Sequence, residues 1–522
     1  MRRIIISAGM LMAAALSLTA QNINQTVQVT NEYETKFEDF KRQTPELQLP
    51  DSLYRFDYDF DYSVFDSPYK GSYVFTPYRV EIVPDAKEFD GRRFYLRAGA
   101  GYTLRPVLDL VYNPLLKENA GVSLYNFGSG CLNSSFYDFR DIAGLSGHWM
   151  IPSCTVKWDM GYEGIFSGKA VPSTAYNSGF VKLALSSADV GRSFFTYDMD
   201  LDVRMGSQIC PDGQIIASDI VLGGSLGPVL STKYSFLLDF NFDVKALRDS
   251  RPDFLGDVTN SATFLPHLVF SPGAFDVDLG VRLDYVMSGN SSFFLAPAAK
   301  ASFAIPAISM KLAASFTGGA RLHSLYSLKS LNHFYLRSAD EPGYVRERYN
   351  AALAVSGAIA NSFQYELKGG YAAYANSAVD SWCGLAFMDS RVAYAELGLD
   401  WKSEHFRSDA NLRYQHVELL NSSAGAYLPA AFTADFNFRY SYRNRLDTGL
   451  NLNASGRRRC VDGQFADVPY FVDLGLFCNY SFKHGWSAWA HLGNLLCGEI
   501  QRHPGLIEKG PYVTLGFTLS VK

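Results

Sequence analysis

The stretch FTYDMDLDVR, residues 195–204, sets Phe195, Tyr197, Met199, Leu201 and Val203 against Thr196, Asp198, Asp200, Asp202 and Arg204 in strict alternation. Side chains of an extended chain point alternately to opposite faces, so the segment reads as a strand with one apolar and one charged face. YSFLLDFNFDVK (234–245) and FDVDLGVRLDY (275–285) repeat the pattern, with Phe236, Leu238, Phe240 and Phe242 against Asp239, Asn241 and Asp243 in the first of them. These runs reach about ten to twelve residues, longer than the ~5–6 of an ordinary strand and as long as a tilted strand that crosses a bilayer. Tyr and Phe recur at the strand ends, where an aromatic girdle would lie at the two membrane interfaces. The period-two pattern therefore predicts a transmembrane antiparallel β-barrel rather than a soluble sandwich.

The rest of the 522-residue chain agrees with that reading. Aromatic residues make up 15% of it and charged residues only 19%, a balance that suits strands. Residues 1–20, MRRIIISAGMLMAAALSLTA, place Arg2 and Arg3 before a short apolar run that ends in small residues. This is the pattern of a cleaved export signal, too short to be retained as a spanning helix, and no later run is long and apolar enough for a transmembrane helix. Seven scattered cysteines without a C-x-x-C pair argue against a disulfide framework or a zinc site, and leave room for one or two bridges in an oxidising compartment. Cys478 shares a strand face with Leu474 and Leu476 and reads as a small apolar residue.

The links between strands alternate in length, as expected of an outer-membrane barrel with short periplasmic turns and long outer loops. Short links fall at 151–153, 188–192, 271–273, 305–306, 361–362, 402–405, 442–445 and 483–485. Between them come longer ones at 246–259, 323–347, 376–389, 419–427, 457–468 and 497–510. Counting on this scheme gives about 22 strands, the first near residue 92 and the last near 511, with both ends of the barrel in the periplasm.

The closing segment, PYFVDLGLFCNYSFKHGWSAWAHLGNLLCGEI followed by GPYVTLGFTLSVK, resembles the last strands of TonB-dependent outer-membrane receptors. The family's Trp-Ser pair is Trp486 and Ser487, its Asn-Leu is Asn494 and Leu495, and the final strand alternates Val513, Leu515, Phe517, Leu519 and Val521. The chain ends in Lys522 where the family usually has an aromatic residue. The resemblance implies a 22-stranded barrel and a globular plug of well over a hundred residues. Only residues 21–90 precede the first predicted strand, so the full plug is missing.

Residues 21–90 differ in charge from the predicted barrel. They carry 14 acidic and 7 basic residues, whereas 91–522 balance at 38 of each. Within them, LYRFDYDFDYSVFDSPY (53–69) alternates Tyr54, Phe56, Tyr58, Phe60 and Tyr62 with Arg55, Asp57, Asp59 and Asp61. Three placements suit such a ribbon. It could lie in the lumen as a gate, pair in the periplasm with a partner through strand addition, or wrap the base of the barrel. Thr26, Val27, Gln28, Val29 and Thr30 are faintly similar to the short extended box through which TonB-dependent receptors engage TonB, or they form an ordinary linker. Alternate aspartates on a strand do not encircle an ion, so no metal or cofactor is expected.

No G-x-S-x-G, H-E-x-x-H or compact Ser/His/Asp set occurs, and the nine histidines are dispersed, so an enzyme is not expected. His491 shares a face with Ser487 and Trp489 that points into the lumen. The basic run GRRRC (456–460), in a predicted outer loop, either contacts acidic lipopolysaccharide or is solvated. No basic patch suited to nucleic acid is present. The sequence thus predicts an all-β integral protein of a Gram-negative-type cell outer membrane: an export signal over 1–20, an acidic aromatic segment over 21–90 and a barrel over 91–522. Its expected role is passage of a solute or macromolecule, gated by the N-terminal segment or by a periplasmic or outer-membrane protein partner. The alternative is a non-conducting platform for an outer-membrane complex.

Overall fold

A computed structural model describes residues 93–521, apart from 118, 170–172, 188–193, 232, 252–255, 338–340, 360–361, 383, 422–424, 444 and 483–484. Twenty-two of its described strands form one closed antiparallel sheet, and Glu499–Ile500 and Glu508–Lys509 pair as a small separate ribbon. Each strand pairs with its sequence neighbours, and Phe94–Tyr102 closes the ring by pairing with both Val107–Lys117 and Tyr512–Val521. Full closure leaves no unpaired strand edge, as the hydrocarbon interior of a bilayer requires.

The alternation resolves as the sequence requires. On Phe195–Cys210, Arg204 and Gln208 are buried inside while Met205 and Ile209 are exposed outside. Large apolar residues such as Leu279, Val281, Phe293, Leu295 and Leu353 cover the exterior. Near the short-link end the outward rings pack into a girdle: Tyr234 stacks on Phe270 and Trp401 on Phe406, Phe406 meets Tyr440 and Trp486 meets Phe517 at a tilt, and Tyr480 meets Phe482 edge to face. An apolar exterior bounded by such a belt is the surface of an integral outer-membrane barrel. Cys478 lies on that exterior, and the six described cysteines are free thiols.

The wall is uneven in height. From Phe136–Ile151 round to Phe406–Leu419 the strands run to 13–19 residues, well beyond the ~9–11 that a crossing needs. From Phe432–Tyr442 round through the closing seam to Ala120–Leu132 they run to only 8–13. Three long outer links, between residues 419 and 432, 455 and 471, and 493 and 512, rise from the low side.

The structure corrects one expected outer loop. The segment 376–389 is not a loop: Phe363–Ser381 and Gly384–Lys402 continue through it and leave only residues 382–383 between them. A bulge between Tyr374 and Ser377, with Asn376 at φ 57, shifts the register there. Beyond it Val379, Ala386 and Met388 are buried against Ala426. The basic run also divides. Arg457 is exposed beside Asp467, but Arg458 is buried, its guanidinium donating to Asp380 at 2.8 Å and to the carbonyls of Gln501 and Arg502. The middle arginine is therefore an internal strut between outer loops.

Candidate functional site

The interior of the barrel is polar, and its charges are unevenly spread. On the tall side Asp198, Asp200 and Asp202 stack along one inward strand face, near Asp239, Asp276 and Asp278 on following strands. Lys182 lies 3.9 Å from Asp202, Lys300 lies 3.9 Å from Asp278, and His267 bridges Asp239 and Asp278 at 3.2 and 2.7 Å. Asp198 and Asp200 are exposed to the lumen.

A different surface lines the closing seam. Trp489 is buried across Gly99 and Gly516, with the Arg97 guanidinium 4.6 Å above its ring. A Cβ on either glycine would overlap the indole, so the two bare backbones admit the ring. Next to it Arg105 lies 3.8 Å over Tyr512 and pairs with Glu508 at 2.5 Å, while the His491 ring lies tilted against Tyr512 with ring centroids 5.6 Å apart. The expected inward face of Ser487, Trp489 and His491 is thus observed. Asn494, the asparagine of the resemblance, is buried at φ 48, and its side-chain amide donates to the carbonyls of Gly498 and Gly510. It ends the strand Trp486–Gly493 and starts the last outer link.

At the outer mouth the described residues 323–337 of the link after Met310–Leu322 fold inward as a roof. Ser324 starts it with a reciprocal capping box to Ser327, which satisfies the first amides of the short helix Leu325–Leu331. Leu325 and Leu328 then bury against Ile165, Tyr176, Ile215 and Ala217 of the inner wall. Polar anchors come next along the chain. Ser167 donates to the His333 carbonyl at 2.6 Å, Gln208 to the Tyr335 carbonyl at 2.9 Å and Arg251 to the Arg337 carbonyl at 3.2 Å. His333 pairs with Asp138 at 2.8 Å, and Asn332 donates to the Gly384 carbonyl at 3.1 Å. Phe334 packs against Phe136 and against Leu506 of the last outer link.

Beneath these anchors lies an ion network. Glu163 accepts from Arg140 at 2.8 Å and from Arg204 at 2.7 Å, and Arg204 is held between the roof's Tyr326 ring, 3.5 Å away, and Phe180, 5.0 Å away. A cavity of about 1210 Å³ adjoins the roof, bounded by His323 and Ser327 and by wall residues including Glu347, Tyr374, Tyr394 and Arg413. Lys368, Glu396 and Arg413 stand side by side there, with Tyr394 beside both cations.

No protein-family model and no curated protein matches the chain. Solved structures do. The FrpB iron transporter from Neisseria meningitidis (F3-3 variant) superposes with a TM-score of 0.66 at 11% identity, over 83% of this chain and 82% of that one. The ferric-catecholate import receptor Fiu from E. coli K12 gives 0.64 at 9% identity over 83% and 82%, and the copper transporter OprC gives 0.62 at 13% over 82% and 80%. The chain has the fold of a TonB-dependent receptor barrel. The 22-strand count and the closing-strand resemblance are both borne out.

The ribbon Tyr54–Tyr62, the box Thr26–Thr30 and the export signal lie outside the described residues. Among the described residues no group of three or more His, Cys, Asp or Glu side chains could hold a metal ion. Sequence reading treated 323–347 only as a long outer link and missed Tyr326, Lys329, His333, Phe334 and Tyr335. The available signal was composition. LYSLKSLNHFYL (325–336) is far richer in apolar residues than a solvated loop needs, and such a loop must bury them somewhere.

Proposed function

We propose that this receptor barrel carries a solute or macromolecule across the outer membrane, with passage controlled by residues 21–90 or by a protein partner and by the roof at the outer mouth. The observation that carries this reading is the roofed polar lumen. A wall lined with hydrated charge and a cavity of about 1210 Å³ exceed what packing a barrel requires and the volume of an ordinary small-ligand pocket. The likeness of its fold to an iron transporter, a copper transporter and a ferric-catecholate import receptor supports the same reading. Lipid and lipopolysaccharide are the expected surroundings of the apolar exterior.

A second reading, a non-conducting platform, is favoured by one observation. The N-terminal segment has an excess of seven acidic residues, 14 against 7 basic, and the tall inner wall presents exposed Asp198 and Asp200. Like charges repel across such a lumen, which favours a ribbon engaged with a partner outside it.

Conductance in planar bilayers separates the two. The full mature chain is expected to be silent, and removing residues 21–90 together with roof residues 325–336 should open a large steady pore. A folded doubly deleted barrel that stays closed would refute passage, and recovery of the chain with a stoichiometric envelope protein after gentle extraction would then establish the platform.

A further inference from the structure

Lys329 is fully buried in the roof, at 0% exposure, and the oxygens that its ammonium reaches are both neutral. Its Nζ donates to Thr174 Oγ1 at 2.7 Å and to the His333 carbonyl at 2.5 Å. Ser167 closes the same small circle, hydrogen-bonded to Thr174 and to the His333 carbonyl. Among the described residues no carboxylate comes within ion-pair distance of Lys329. Asp138, whose charge acts on Lys329, is engaged by His333. Cys210 is the other titratable group facing it from the wall. A charged amine without a counter-ion in a dry site opposes burial, and it resists being seated more than an alkyl chain of the same length would.

We propose that Lys329 is a release spring built into the roof: seating the roof requires its amine to shed a proton or to be buried charged, so this one residue sets the balance between a closed and an open outer mouth. Burial pushes the amine down to about 7. The seated form therefore holds its proton less tightly than the released form, whose amine titrates near the ordinary lysine value of ~10.4. Above that value the residue does not oppose seating. As pH falls towards 7 the opposition grows, and below 7 it is fully present and constant.

The other charged groups around the roof can be separated from this effect. His323, at the start of the roof, is held by burial down at about 4, so it stays neutral between pH 7 and 9. Burial raises the Tyr326 and Tyr335 phenols, which remain neutral over the same window. Arg140, Arg204, Arg251 and Arg337 stay charged throughout, paired with Glu163 and Asp249. His333 of the roof pairs with Asp138 of the wall, and outside the roof His503 pairs with Asp380.

This inference rests on reading 323–337 as the closure of the mouth, but its test tracks seating of the roof and not passage, so either can fail alone. The experiment is hydrogen exchange by mass spectrometry on the full chain in lipid nanodiscs, monitoring residues 325–336 at pH 7, 8 and 9. Rates are corrected for intrinsic exchange, and strand 213–231 serves as the reference. Protection of the wild-type roof should rise on the order of fiftyfold from pH 7 to pH 9. Lys329→Met should be protected at least as strongly at pH 7 as the wild type is at pH 9, with no pH trend, and Lys329→Arg should be weakly protected throughout. A wild-type roof whose protection does not change with pH, or a Met variant less protected than wild type at pH 7, would overturn the proposal.

Discussion

Replacing Glu163 by alanine should unseat the roof and destabilise the barrel by about 3–5 kcal/mol, because it leaves the buried Arg204 and the partly buried Arg140 without their shared counter-ion. Glu163 is 1% exposed and is bound by Arg140 and Arg204, while Arg204 carries the roof through its contact with Tyr326. A buried ion pair adds little over an apolar replacement, but breaking one side of it is strongly unfavourable, since the remaining charge is neither solvated nor paired. Glu163→Gln keeps one acceptor oxygen and the shape of the side chain, so its loss should be smaller. Chemical denaturation of the reconstituted full chain, read beside exchange protection of residues 325–336, measures both parts. An alanine variant as stable as wild type with an equally protected roof would show that the network does not hold the mouth closed.

The second large effect lies at the seam. Gly516→Val should prevent proper closure of the barrel. A Cβ there would enter both the Trp489 ring and the Ala98 carbonyl, and that carbonyl belongs to the pairing between Phe94–Tyr102 and Tyr512–Val521. Overpacking a fixed core usually costs about 1–3 kcal/mol, and more where the obstacle is backbone that cannot turn aside. The expected result is a chain that runs as unfolded on a semi-native gel, where the closed wild-type barrel resists unheated detergent. Adding Trp489→Ala removes the ring but not the carbonyl, so the double variant should recover only part of the folded band. Normal closure of Gly516→Val would mean that the seam is not tightly packed at this point.

These two sites differ in how far the sequence announces them. The barrel was legible because alternation is a local property. Segments such as 195–204 and 275–285 display both faces within ten residues, and links of unequal length supply the count. Legibility failed where local phase was interrupted. At Tyr374/Ser377 a bulge reverses which residues face inward, so the pattern through 376–389 cancels and an extended strand pair reads as a loop. The roof failed for another reason. Lys329 meets Thr174 across 155 residues of sequence, and Ser167 meets His333 across 166. Nothing in LYSLKSLNHFYL states which wall receives it; only its surplus of apolar side chains shows that it must be received. The seam occupies a middle position. Trp489 and His491 were placed inward by their spacing, but the pairing of Gly99 with Gly516 beneath the indole depends on a register that only closure defines.

The uneven wall makes the roof a door with a hinged edge and a free edge. Its fastenings at Asp138, Ser167, Gln208, Asp249 and Gly384 all belong to the tall arc, whereas towards the low arc the described contact is the apolar touch of Phe334 on Leu506. Separating one small greasy contact takes far less work than withdrawing a row of buried polar fastenings. Under the proposed passage function, a cargo arriving from outside would therefore meet the entrance beneath the three long links of the low arc, which gives the barrel an approach direction as well as an approach face.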